Sequence, residues 1–161
     1  MARVSFAAPF KQRIIMRIQA AVFCFFCLLA GPLYAQQMPR MELTAGFLRI
    51  DAEVAANQGN RMQGLMHRRS MAQHQGMMFV FPVAAQHCMW MKNTYLPLSV
   101  AFLDREGRIL NIEDMKPHTE NNHCAAKPAF FALEMNQGWF AAKGIKPGML
   151  IGGVQRVPEP R

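Results

Sequence analysis

The segment LSVAFLDREGRILNIED, residues 98–114, decides the fold. Residues 98–103 are an apolar run of β-forming residues, and residues 104–107 have the acidic and glycine residues of a tight turn. Residues 108–114 then return to an apolar pattern. The segment therefore predicts a β-hairpin.

Further short segments on both sides of this hairpin have the same character. Residues 76–82 (GMMFVFP) form an apolar run between chain breakers, which is typical of a buried strand. We also expect strands at residues 86–93, 130–135 and 149–154, and one or two strands within residues 41–54. Residues 57–67, with Asn57 as N-cap, and residues 136–142 predict two short helices. The pattern is that of a mostly β protein, a small closed or nearly closed β-barrel.

The N-terminal residues have the features of an export signal. Residues 20–30 (AAVFCFFCLLA) are an uncharged apolar run that follows four basic residues, and the small residue Ala35 provides a cleavage point. A membrane-spanning helix needs about 20 apolar residues, so this run is too short to span. We expect residues 1–35 to be a removed signal peptide, with an uncleaved anchor as the alternative. Residues 36–42 would be a lead-in, residues 43–154 one barrel domain and residues 155–161 a tail, in a periplasmic or secreted protein.

Removal of this leader halves the net charge of the chain. The chain of 161 residues has 18 Lys and Arg against 10 Asp and Glu, a net charge of +8. The leader contains four of the basic residues and no acidic one, so the remaining chain has a net charge of +4. Its largest cationic cluster is the pair Arg68 and Arg69, whereas a phosphate-binding surface needs many clustered cations. Nucleic-acid binding is therefore disfavoured.

Two cysteines, Cys88 and Cys124, remain after the leader. In an oxidising compartment they could form a disulfide, and two buried thiols or a metal-binding pair are the alternatives.

The sequence contains no strong catalytic or metal-binding motif. Ser70 and Ser99 are outside any nucleophile elbow, and we expect no catalytic residue, resident metal or cofactor. One alternative is copper binding, because His87, Met89 and Met91 would share one face of a strand and thioethers are ligands for Cu(I). The competing interpretation is that methionines fill the core.

Five motifs in order resemble a known family. They are residues 61–68 (RMQGLMHR), 76–81 (GMMFVF), 90–98 (WMKNTYLPL), 101–107 (AFLDREG) and 132–139 (ALEMNQGW). Over about residues 43–154 the chain resembles the domain-of-unknown-function family 192 of bacteria and archaea. The resemblance implies a small, often exported, barrel-like domain without an established activity, so function must be argued from the site. Cys88 and Cys124 resemble a pair seen in exported members, which favours the disulfide. Ser99 stands where an aspartate is frequent.

The string at residues 90–94 combines an aromatic ring, a cation, an amide and a hydroxyl where a predicted strand ends, so these groups could converge on a ligand. A purely structural role, with Trp90 in the core and Asn93 and Thr94 in a turn, is the alternative. We predict one polar-aromatic patch that binds a small ligand, an envelope glycan or a partner protein. Its residues are Arg61, Trp90, Lys92, Asn93, Thr94, Glu134, Asn136 and Trp139. The alternative from another class is an envelope-acting enzyme, with Glu134 as acid/base and Lys92 or Arg61 stabilising charge.

Overall fold

The computed structural model describes residues 38–160, so the predicted signal peptide lies outside the described residues. The strands are β1 (Arg40–Ala45), β2 (Leu48–Ala55), β3 (Gln75–Ala85), β4 (Cys88–Met89), β5 (Leu98–Leu103), β6 (Ile109–Met115), β7 (His123–Cys124), β8 (Ala129–Asn136) and β9 (Ile151–Gly152). The helices are α1 (Gln58–Gln63) and α2 (Trp139–Ala142), with a 3-10 turn at Val154–Arg156. In this part of the chain, no helix is long and apolar enough to cross a membrane.

Seven strands form one curled sheet in the order β6-β5-β8-β3-β2-β1-β9. Every pair is antiparallel except β2 with β3, which are parallel and joined by the crossover that contains α1. The two ends of the sheet approach each other, because Arg108 bridges to Leu150 and the Ile109 N–H donates to the Met149 carbonyl at 2.9 Å. The structure confirms a mostly β, nearly closed barrel with two short helices.

Strand β5 shows how the sheet separates two apolar cores. All six of its residues are buried, and alternate residues point to opposite faces. Ala101 and Leu103 pack in one cluster with the α2 residues Trp139 and Phe140. Val100 and its neighbours on the other face pack against the connections that cover that face, in a second cluster. The second face is the one that positions the candidate site.

The predicted strand at residues 86–93 is confirmed only for Cys88 and Met89, which form β4, and is wrong for the residues on either side. The chain turns after Met89, where the Met91 N–H donates to the Thr119 carbonyl at 2.9 Å and Asn93 adopts a positive φ of 55°. The partner of β4 is β7, which lies in a polar segment without a strand pattern. The predicted strand at residues 149–154 is likewise reduced to β9, followed by the 3-10 turn.

The small sheet of β4 and β7 holds the disulfide. Cys88 and Cys124 are directly opposite each other in the register, and their sulfurs are bonded. This confirms the disulfide and excludes both alternatives, two buried thiols and a metal-binding pair. The bond ties the loop that carries Trp90 to the loop that follows β6.

The helix α1 begins as predicted, because the Asn57 side chain accepts a hydrogen bond from the Asn60 N–H at 2.8 Å. The helix is short, and it ends at Gly64, whose φ of 49° few side chains adopt without strain. A Cβ at Gly64 would also approach the ring of Phe79 at 3.2 Å. Glycine at this position therefore lets the end of α1 sit directly on β3.

Candidate functional site

The candidate site centres on Glu134, which lies in the middle of the sheet. On β8 it is paired with Met77 of β3 on one side and with Val100 of β5 on the other. Its side chain is buried, with 4% relative exposure, on a face that is otherwise apolar. Burial raises the pKa of Glu134 from 4.5 to about 8, since desolvation disfavours the charged form. The carboxyl group is therefore mostly neutral at pH 7.

The approach of β3 to β8 beside Glu134 depends on a second glycine. A Cβ at Gly76 would collide with the sulfur of Met135 and lie 2.6 Å from the Glu134 carbonyl. Only a residue without a side chain fits there without a shift. The backbone on either side of the Glu134 carboxyl is thus closely packed.

A small cavity of about 30 Å³ contains the Glu134 side chain, and we call it the Glu134 cavity. Its walls come from α1, from the residues that follow this helix, from β3 and from the chain after β4. The lining residues are Arg61, Met62, Gln63, Gly64, Leu65, Met66, Phe79, Met89, Trp90, Thr94 and Glu134. The volume is about that of one water molecule in the liquid, so only a small polar group can enter as the cavity stands.

Arg61 is fixed at the wall of this cavity by backbone carbonyls. Its Nη1 donates to the carbonyl oxygens of Ala56 at 2.6 Å and Val80 at 3.1 Å. The guanidinium therefore bridges the end of β2 and the middle of β3.

The loop after β4 is held in an unusual backbone conformation. Among the described residues, the non-glycine residues with positive φ are His67 (63°), Asn93 (55°) and His118 (60°). They are linked, because the His67 N–H donates to the Asn93 carbonyl at 2.9 Å and the His118 N–H donates to the Thr94 carbonyl at 3.2 Å. Such strain persists only where the surrounding structure enforces it, and it is frequent at binding sites. Two distant segments, those of His67 and His118, thus converge on the loop that forms one wall of the cavity.

Exposed aromatic rings flank this loop. Trp90 and Tyr95 are 47% and 43% exposed. The ring of Tyr95 lies 6.1 Å from that of His67 and 5.1 Å from that of His118, measured between centroids. We call Trp90, Tyr95, His67 and His118 the aromatic rim. The sequence did not predict three of these four residues as part of a site, since their contacts join positions far apart in the chain.

Two cations lie on the aromatic rim. The Lys92 ammonium is 5.2 Å from the centre of the Trp90 ring and 3.9 Å from a carboxylate oxygen of Glu120. Arg69 lies over Tyr95 at 5.8 Å. Lys92 therefore contacts Glu120 rather than lining the Glu134 cavity.

The structure brings Arg61, Trp90, Thr94 and Glu134 to one cavity. Lys92 and Asn93 lie in the same loop. Asn136 does not line the cavity, and its side-chain amide donates to the carbonyls of Met71 and Ala72, each at 3.2 Å. Trp139 is buried in the other apolar cluster, edge-to-face with Phe140 at 5.3 Å. The predicted patch is thus divided between the two faces of the sheet.

The methionine stripe considered for copper does not share one strand face. The strand ends at Met89, and Met91 is fully buried in the core. His87 stacks on Phe81 at 3.7 Å, and its Nε2 lies 2.9 Å from the Val83 carbonyl. In residues 38–160 there is no group of three or more His, Cys, Asp or Glu side chains that could hold a metal ion.

The family model of DUF192, described as an uncharacterized ACR, matches residues 41–152. The chain belongs to this family. No curated protein matches the chain.

Two solved structures share the fold of this DUF192 protein. A proposed transcription regulator from Sinorhizobium meliloti 1021 is 37% identical, covering 71% of this chain and 92% of its own, with a TM-score of 0.66. A protein of unknown function from Novosphingobium aromaticivorans DSM 12444 is 29% identical, covering 76% of this chain and 90% of its own, with a TM-score of 0.69. The family and these relatives leave the activity of the DUF192 protein open.

Proposed function

We propose that this DUF192 protein is an exported module that binds a sugar unit of an envelope glycan at the Glu134 cavity and the aromatic rim. The observation that carries the proposal is a buried carboxyl group at the wall of a polar cavity, next to an exposed tryptophan. The cross-strand neighbours of Glu134, Met77 and Val100, are apolar. A buried carboxyl at this position therefore lowers stability relative to an apolar residue. A role of the Glu134 carboxyl in ligand binding explains why a destabilising residue occupies this position.

The chemistry of the cavity fits a hydroxyl group. A neutral carboxyl group both donates and accepts a hydrogen bond, as a sugar hydroxyl requires. The Thr94 hydroxyl donates to the Lys92 carbonyl at 3.2 Å, which leaves its oxygen able to accept. A single hydroxyl or hydroxymethyl group would enter the cavity, while the sugar ring would pack on Trp90 outside it.

Export is supported by two independent features. One is the basic and apolar pattern of the N-terminal residues. The other is the disulfide between Cys88 and Cys124, since such bonds persist mainly in oxidising compartments. An exported protein of this kind meets envelope glycans rather than cytosolic ligands.

We do not propose nucleic-acid binding, although the Sinorhizobium relative is described as a transcription regulator. A phosphate-binding surface needs free, clustered cations. Arg68 forms a two-point contact with Glu53, and Arg40 contacts Asp51 and Glu53. These arginines are therefore already neutralised by the protein's own carboxylates.

An enzyme that acts on envelope material is the second candidate. The observation in its favour is that Glu134 holds a proton at pH 7 and could act as a general acid. Glycoside hydrolysis commonly uses two carboxylates, and Glu134 is the carboxylate among the residues that line the cavity. We therefore favour binding over turnover.

The test is a titration of the protein with soluble peptidoglycan and polysaccharide fragments, followed by Trp fluorescence and by mass spectrometry of the sugars. Binding should alter the emission of exposed Trp90, and Trp90→Ala or Glu134→Leu should weaken the affinity at least about tenfold. Glu42→Leu, on β1, is the matched control and should bind normally. Cleaved fragments would favour the enzyme, and affinities unchanged by both site variants would refute the proposal.

A further inference from the structure

A second cavity lies at the gap in the barrel wall. Strand β6 is at the end of the sheet, and on its outer side only its first residues meet residues 148–151. Past that point, within the described part of the chain, β6 has strand pairing with β5 alone. A cavity of about 450 Å³ lies between this free edge, α2 and residues 144–147. Its volume is in the range of small-molecule sites in proteins.

The walls of this cavity are apolar at the back and charged at the sides. Phe140 and Ile145 are buried side chains on one wall, and Ile112 of β6 faces the same space. The Asp114 carboxylate lies on the β6 side, and Lys146 lies on the opposite loop. The cavity thus combines an apolar surface with both signs of charge.

A buried hydroxyl positions the Asp114 carboxylate. The Ser99 hydroxyl donates to Asp114 Oδ1 at 2.5 Å and accepts from the Gly138 N–H at 2.8 Å. Among the described residues, neither Asp114 nor Lys146 forms a salt bridge. Two opposite charges therefore face one cavity without neutralising each other.

We propose that this cavity binds a short peptide with free ends, whose ammonium group meets Asp114 and whose carboxylate meets Lys146. An apolar side chain of the peptide packs on Phe140 and Ile145. Opposite charges on the two walls select a ligand that carries both charges, and the apolar back wall selects a hydrophobic side chain.

The free edge of β6 favours a peptide over a single amino acid. An edge strand presents N–H and C=O groups that an extended peptide can pair with, so main-chain hydrogen bonds would add to the two ionic contacts. Two residues of extended chain span about 7 Å, which suits a compact cavity of about 450 Å³. The bound peptide would fill the gap in the barrel wall.

The first experiment compares three ligands by calorimetric titration of the intact wild-type protein. Leucyl-leucine should bind, and N-acetyl-leucyl-leucine and leucyl-leucinamide should each bind about tenfold more weakly, since each lacks one charge. Equal affinities for the three peptides, or no binding of leucyl-leucine, would overturn the proposal. This comparison requires no variant and does not depend on the Glu134 cavity.

The second experiment assigns the contact with the peptide carboxylate. Lys146→Gln should abolish the preference for leucyl-leucine over leucyl-leucinamide and keep the penalty for N-acetylation. Lys143→Gln removes a neighbouring exposed cation outside the cavity and should keep both preferences. A full preference for the free carboxylate in Lys146→Gln, with an unchanged melting temperature, would contradict the assignment.

Discussion

Replacement of Glu134 by glutamine should stabilise this protein at neutral and alkaline pH. Glutamine has the shape of the protonated glutamic acid and cannot ionise, so it keeps the neutral form of the site at every pH. The folded state raises the pKa of Glu134 from 4.5 to about 8. Between these two values the folded protein holds a proton that the unfolded chain has lost, so the free energy of unfolding falls as the pH rises.

The size of this effect follows from the shift. Each pH unit between the two pKa values lowers the free energy of unfolding by roughly 1.4 kcal/mol. From pH 5 to pH 8 the wild type should therefore lose roughly 3 to 4 kcal/mol relative to Glu134→Gln. Below pH 4.5 the two proteins should have similar stability, and above about pH 8 the difference should be constant.

Urea unfolding followed by circular dichroism at pH 5, 6, 7 and 8 measures this difference. Other titrating groups affect both proteins equally, so the comparison isolates Glu134. Glu42→Gln, at an exposed carboxylate on β1, is the matched control and should follow the wild type. A constant difference between wild type and Glu134→Gln from pH 5 to 8 would refute a neutral, desolvated Glu134.

Three further variants test the supporting structure. Glu53→Gln should cost about 1 kcal/mol at pH 7. Because the hydrogen bond from Arg68 lowers the pKa of Glu53, its contribution is complete above the ordinary value of 4.5 and is lost as the pH falls through the lowered pKa. Melting curves at successively lower pH check this, and a loss that does not diminish at pH 3 would contradict it. Cys88→Ser should lower the free energy of unfolding by about 2 to 4 kcal/mol, and dithiothreitol should have no further effect on the variant in urea unfolding. Ser99→Ala should cost about 1 to 2 kcal/mol in the same assay, because the hydroxyl joins Asp114 to a backbone N–H; wild-type stability would show that this link is dispensable.

The sequence was most informative where the structure is local. The hairpin of β5 and β6 depends on an apolar run, a turn and a second run within 18 residues, so periodicity and turn chemistry were enough. Strand β7 has only two residues in a polar segment, and its pairing with β4 is enforced by the disulfide and by neighbouring loops. A pattern within one segment does not contain that information.

The candidate site was predictable only in part, for a related reason. Trp90 and Thr94 were predicted as site residues because residues 90–94 combine unusual side chains. Glu134 was predicted because it is a carboxylate in a β-strand. The aromatic rim arises from contacts among His67, Tyr95 and His118, which lie on three loops. The sequence also did not show on which face of the sheet each residue lies. Trp139 is buried on the face opposite the Glu134 cavity, so it is not part of the site.

The most direct test of the account is a carbon-13 NMR titration of the Glu134 side-chain carboxyl, with and without envelope-glycan fragments. We expect a titration midpoint near pH 8 in the free protein. We also expect the Glu134 signal, but not the Glu42 signal, to change when the sugar binds. A midpoint near the ordinary value of 4.5, together with a signal that no glycan fragment changes, would contradict it.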